Sequence, residues 1–197
     1  MHRYQNNERA RREASGSMGF VKLVQSQYSE EIDVINVIHY ICSLEKCRHL
    51  IHGSNQIIGV CPIAAPDSVA SQFLTIQRSS RLQYQRRLFH IVYSLDNALD
   101  PVCYQAIAAI GVGFSQLYSA YQSVFAVHED TRNLHLHQVF NNIPVNDDKQ
   151  LTHSFDLLRL ETLADLVLDR CETLKYFRKL VSANVYTIAK DALSVLH

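Results

Sequence analysis

The sequence predicts an α+β fold in which helices flank a central antiparallel β-sheet, and three observations carry that expectation. Apolar and β-branched runs at 88–95, 122–128 and 134–143 read as the strands at the centre of the sheet. The last two are separated by a short polar stretch, Asp130-Thr131-Arg132-Asn133, suited to a tight turn between antiparallel neighbours. The elements run strand, helix, helix, strand, helix, strand, strand, helix, an order that fits an α+β sandwich.

In chain order, Met1 to Ser17 is polar, rich in Arg and Asn and without apolar periodicity. It reads as a disordered extension, leaving 18–197 as one domain. Phe20 to Val24 reads as a first short strand. From Glu30 to Ser43, Ile32, Val34, Ile35, Val37, Ile38 and Ile41 recur at helical spacing. Asp67 to Gln77 is a second helix with Ser68 near its start, and Arg86 to Leu95 is a strand. Pro101 to Tyr121 reads as a helix opened by Asp100 with proline at its first position, although Gly111 and Gly113 weaken its middle. Beyond Pro144 and the acidic turn Asn146-Asp147-Asp148-Lys149, Ser154 to Asp169 and Thr173 to Leu196 read as amphipathic helices.

The chemistry concentrates between Val127 and Asn141. His135 and His137 are two apart on a strand, so both imidazoles leave the same face, while Leu136 and Val139 are expected to point into packing. His128 ends the preceding strand, and a tight turn brings it beside the other two. Three neutral imidazoles converging in this way make a facial site for a divalent ion with positions open to water and substrate. Asp130, two residues after His128, is placed to accept the second N–H of a ligating imidazole. An all-histidine site tolerates several ions, and manganese or magnesium is expected in service rather than zinc.

With 197 residues of which 47% are hydrophobic, the chain has enough apolar material for one sizeable core. No apolar run approaches the roughly 18 residues of a membrane span, and the N-terminus lacks the pattern of a signal peptide, so a cytoplasmic protein is expected. Five scattered cysteines without a CxxC pair read as reduced thiols. The formal net charge of zero argues against holding nucleic acid by bulk electrostatics, which leaves local patches. Arg78, Arg81, Arg86 and Arg87 form one such cluster and Arg9, Arg11 and Arg12 another; the alternative for both is a solvated surface.

These residues together resemble a mobilisation relaxase of the MobA/VirD type, in the HUH endonuclease superfamily, over most of 20–145. The family pattern of a histidine, an acidic residue two on, then His-x-His and an asparagine is met by His128, Asp130, His135, His137 and Asn141. The His-x-x-x-Ser strand is met by His90 to Ser94, with Leu95 where an aromatic is usual. Tyr-Ile followed by a lysine is met by Tyr40, Ile41 and Lys46, and a later Gly-x-Asn by Gly53-Ser54-Asn55. In relatives an acidic residue lies in a proline- and glycine-containing stretch soon after the His-x-x-x-Ser strand; here that stretch is Ser94 to Pro101.

The resemblance implies site- and strand-specific nicking and rejoining of DNA at the transfer origin of a plasmid or mobile element. Tyr40 would be the nucleophile, holding the 5′-phosphate covalently while a 3′-hydroxyl leaves. His128, His135 and His137 would hold the metal, and His90 and Asp130 would orient ligands or accept a proton. The four clustered arginines would contact phosphates of a single strand or of a hairpin beside one. Accessory mobilisation proteins are expected as partners, because relaxases commonly carry further C-terminal regions and this chain stops soon after the nuclease core. Two other readings stay open: a catalytically silent DNA-binding accessory of similar fold, and an unrelated three-histidine metal hydrolase with water as nucleophile.

Overall fold

A computed structural model describes residues 19–43, 45–46, 51–53, 66–82, 85–95, 101–131, 133–145, 156–176 and 184–196. The expected N-terminal extension, its Arg9, Arg11 and Arg12, and Asn55 of the Gly-x-Asn match lie outside them. The described elements are β1 (Gly19–Leu23), α1 (Glu31–Ile41), β2 (Ile51–Gly53), α2 (Pro66–Ser79), β3 (Leu88–Leu95), α3 (Pro101–Leu117), β4 (Tyr121–His128), β5 (His135–Pro144), α4 (Leu157–Tyr176) and α5 (Val185–Leu196). The strands form one antiparallel sheet in the order β1-β3-β5-β4-β2, so the three strands expected at its centre are there.

Alternation along β3, β4 and β5 divides the core in two. One face carries Phe89, Ile91, Tyr93, Phe125, Val127, Leu136 and Phe140, which pack under α3, α4 and α5. The other carries Leu88, Val124, Ala126 and Val139 beneath Val34, Ile38, Ile41, Phe73 and Leu74 of α1 and α2. Val139 therefore shares the face of His135 and His137, contrary to expectation: it lies one step further along the same side of β5 and packs under the helices.

Gly111 and Gly113 do not interrupt α3. A side chain at Gly111 would meet the Phe125 ring at 2.6 Å, so glycine here lets the helix lie directly on the sheet. The helical cost of about 1 kcal/mol is offset by that contact. β2 has no counterpart in the sequence reading; three residues are too few to show a period. The two C-terminal helices also divide differently. α4 continues to Tyr176, and α5 begins after Asn184, whose side chain accepts from the Tyr186 backbone N–H at 2.8 Å as an N-terminal cap. No helix among the described residues is long and apolar enough to cross a membrane.

Several buried polar groups lock the helices to the sheet. The Asn141 amide donates to the Phe73 carbonyl at 3.1 Å and to Gln122 at 2.8 Å, and its oxygen accepts from Gln77 at 3.1 Å. The asparagine of the histidine motif is thus a clamp between α2 and the sheet, with its side-chain amide bonded to protein.

Candidate metal centre

The β4–β5 hairpin builds the site. His128 pairs directly with His135, and Ala126 with His137, which places all three imidazoles on the α1 side of the sheet. Their ring centroids lie 4.4 Å (His128–His137), 5.0 Å (His135–His137) and 5.5 Å (His128–His135) apart. One ring nitrogen from each falls within 4.8 Å of the others, the one such cluster among the described residues.

Hydrogen bonds decide which nitrogen each ring offers. The Ile41 carbonyl, 2.8 Å from His128 Nε2, only accepts, so Nε2 carries the proton and Nδ1 keeps a lone pair. That Nδ1 is buried without a hydrogen-bond partner among the described residues. A buried, unpartnered lone pair is costly unless something binds it, and it is the observation that fits these residues to a metal ion. His135 is fixed likewise: its Nδ1 donates to the Asn133 carbonyl at 3.0 Å, leaving Nε2 bare. His137 Nδ1 is 2.7 Å from His90 Nε2, and His90 Nδ1 is 3.1 Å from the Tyr28 hydroxyl. Backbone carbonyls thus do for His128 and His135 what was expected of Asp130.

Burial favours the neutral form of His137, His90 and His128. Burial, reinforced by the charged forms of His128, His90 and His135 and by Lys46, pushes His137 from 6.5 down to about 2. Burial and His128 lower His90 to about 4. His128 is lowered too, by burial first, with its bond to Ile41 opposing. Metal ligation needs unprotonated nitrogens, so these shifts prepare the donors.

Tyr40 and Lys46 complete the site. Tyr40, on the last turn of α1, stands with its ring centroid 5.8 Å from that of His128 and 5.5 Å from that of His137, both edge-on. It is 44% exposed. Lys46 Nζ sits 4.0 Å from the Tyr40 ring centroid and 3.5 Å from Asp130, whose other oxygen is 3.6 Å from His135 Nε2. The motif that contains Lys46 does not place it, and Tyr28 belongs to none of the motifs. The Tyr-x-x-x-x-x-Lys spacing was the available signal for the first, and nothing local marked the second.

The four arginines lie elsewhere. Leu88, next to Arg87, pairs with Asn141, four residues along β5 from His137, or about 13 Å. Arg78 is bonded to Glu31, and Arg87 to the Ser29 carbonyl (2.9 Å) and Gln77 (3.0 Å). Arg86 lies 5.2 Å from the Phe89 ring centroid, and Arg81 is exposed.

The fold is an α+β sandwich, and three converging histidines with a tyrosine beside them form a candidate metal centre on one face of its sheet. Residues 40–170, well over half of the chain, match the relaxase family, MobA/VirD2-like, nuclease domain, and the chain belongs to that family. No curated protein matches it.

Proposed function

We propose that this protein nicks and rejoins one DNA strand at the transfer origin of a plasmid or mobile element, through a phosphotyrosyl link to Tyr40. The observation that carries the reading is the position of Tyr40: edge-on to two of the three histidines, with the Lys46 ammonium against its ring. In the reaction the Tyr40 oxygen forms a bond to phosphorus while the P–O3′ bond breaks. The phenol loses its proton, the departing 3′-oxygen gains one, and the 5′-phosphate stays esterified to Tyr40. The diester count is unchanged, so a 3′-hydroxyl can reverse the step.

His128, His135 and His137 would hold a divalent ion, manganese or magnesium, which when bound supplies a positive charge that polarises the scissile phosphate. Lys46 brings positive charge to the place where the phenol becomes anionic. Asp130 pairs with Lys46, and His90 supports His137 from behind. A cavity of about 440 Å³, lined by Tyr40, Tyr28, His90 and His137, shares His137 with one of about 670 Å³ lined by Phe20, Lys22, Ser94, His135 and His137. A single strand laid across both would find the Phe20 ring for stacking and the Lys22 charge for phosphate. Arg81 and Arg86 would contact phosphates further along the strand; Arg78 and Arg87 would do so only by releasing their partners within the protein. The cytoplasm as the setting and accessory mobilisation proteins as partners belong to the same reading.

The test is a manganese-containing reaction with a randomised pool of single-stranded oligonucleotides. A covalent adduct is expected, mapping by mass spectrometry to Tyr40, and Tyr40→Phe should lower its formation by several orders of magnitude while folding and manganese binding persist. An adduct on another tyrosine would refute the nucleophile assignment. Cleavage without any adduct would make water the nucleophile.

A further inference from the structure

The three histidines are not held alike. His128 and His135 each donate to a backbone carbonyl, at 2.8 and 3.0 Å, and a carbonyl admits only one proton arrangement. Those bonds place the proton on the nitrogen facing the carbonyl and leave the other ring nitrogen to the cluster; His135 Nδ1 also has the Thr131 hydroxyl at 3.3 Å. His137 has no such partner. Its Nδ1 faces His90 Nε2 at 2.7 Å, and His90 Nδ1 faces the Tyr28 hydroxyl at 3.1 Å. Every member of this relay can donate or accept, so protons can be arranged along it in either of two directions. In one, Tyr28 donates to His90, His90 donates to His137, and His137 carries its proton on Nε2, where it blocks ligation. In the other, His137 Nδ1–H donates to His90 Nε2 and His90 Nδ1–H donates to Tyr28, leaving His137 Nε2 bare. The two directions contain the same number of protons.

Tyr28 itself is unusual. It is the one non-glycine residue with positive φ among the described residues, at 45°. The left-handed conformation is strained for a tyrosine and persists where the surroundings dictate it. Here they do: the Arg87 backbone N–H donates to the Tyr28 carbonyl at 2.8 Å, and the Arg87 guanidinium holds the Ser29 carbonyl at 2.9 Å. One turn back, the Val24 backbone N–H donates to the His90 carbonyl at 2.8 Å, tying the same loop to the strand that carries His90. The strain has a local result: it turns the phenol across the end of β3 onto His90.

We infer that Tyr28 is a positioning residue for the metal centre, acting through His90 as the terminal acceptor that keeps His137 in its ligating tautomer. The inference rests on the proposal that the three histidines bind a divalent ion. It adds that one ligand of the three is set by a reversible chain of side chains reaching about two ring widths behind the site, and that the β1–α1 loop controls it.

Calorimetric titration with manganese alone tests this, without DNA or turnover. Tyr28→Phe keeps the ring and removes the acceptor, and should weaken manganese binding about tenfold, the lower end of what outer partners of metal-bound histidines contribute. His90→Ala should weaken it at least as much. The decisive measurement is the double variant: with His90 gone, Tyr28→Phe should cost nothing further, because its effect is transmitted only through that ring. Thermal unfolding of each variant identifies any loss of folded protein. Wild-type affinity in Tyr28→Phe, or an equal tenfold loss in the His90→Ala background, would overturn the relay while leaving the metal centre intact. A wild-type protein that takes up no manganese would remove the metal reading and this inference together.

Discussion

The two faces of the sheet use the same strands for opposite purposes. On the α3–α5 side, β3, β4 and β5 present mainly apolar residues, with Gln138 bonded to Ser115 as a fully buried exception, and Gly111 allows the helix to lie against Phe125. On the α1–α2 side the apolar core covers only part of the sheet, and where it ends the strands present His90, His128, His135 and His137. Cohesion is therefore loaded onto one face, which lets the other carry costly neutral imidazoles and an unpartnered Nδ1. Alternation makes this possible: on each strand, changing one face leaves the other in register.

If that division holds, variants on the two faces should separate binding from stability. The largest effect is expected from replacing His135 and His137 together by Ala. Manganese binding should fall below detection in calorimetry, while the thermal midpoint moves less than it does for a core substitution on the opposite face; unchanged affinity would show that the histidines are not the ligands. Phe140→Ala probes that opposite face. Phe140 is fully buried, with its ring centroid 5.5 Å from that of Tyr118, and its loss should cost about 3–5 kcal/mol in chemical denaturation with manganese affinity preserved in the folded protein.

A smaller, graded difference is expected with pH. His137 and His90 stay neutral in the folded protein down to about 2 and about 4, whereas unfolded imidazoles take up protons below 6.5. The unfolded state then binds more protons, so their contribution to stability is complete above pH 6.5 and is lost as pH falls below it, down to about 4 for His90 and about 2 for His137. The slope reaches at most about 1.4 kcal/mol per pH unit for each histidine. Denaturation of the metal-free protein between pH 7 and 4.5 should show this slope undiminished in Phe140→Ala and reduced in the double histidine variant. Equal slopes in all three would mean that the buried imidazoles do not govern acid sensitivity.

Much of the site is legible in the sequence. Two histidines at i and i+2 share a face of any strand, and a short polar turn returns the chain so that His128 meets His135. Both facts depend on neighbours within a dozen residues. The same local logic gave the three central strands and the amphipathic α1 and α2, and it failed where length or context removed the period. β2 is only three residues long, and the boundary between α4 and α5 falls elsewhere than helical periodicity had placed it. Val139 illustrates a different failure: its apolar character suggested the opposite face, but parity with His137 puts it under α1 and α2, where an apolar residue is equally at home.

By itself, then, the sequence determined that three imidazoles would meet on one face of an antiparallel hairpin, because strand alternation is a property of the backbone. Only the tertiary structure decided which nitrogen each imidazole turns to the centre, since that depends on the Ile41 carbonyl, 87 positions from His128, and on His90, 47 positions from His137. It also decided that Tyr40 and Lys46 stand over the cluster, that Tyr28 closes a relay behind it, and that Glu31 and Gln77 occupy two of the arginines expected to meet DNA. Such pairings arise from how helices and loops settle across the sheet. Periodicity says which face of an element is buried, but not which distant group will be waiting there.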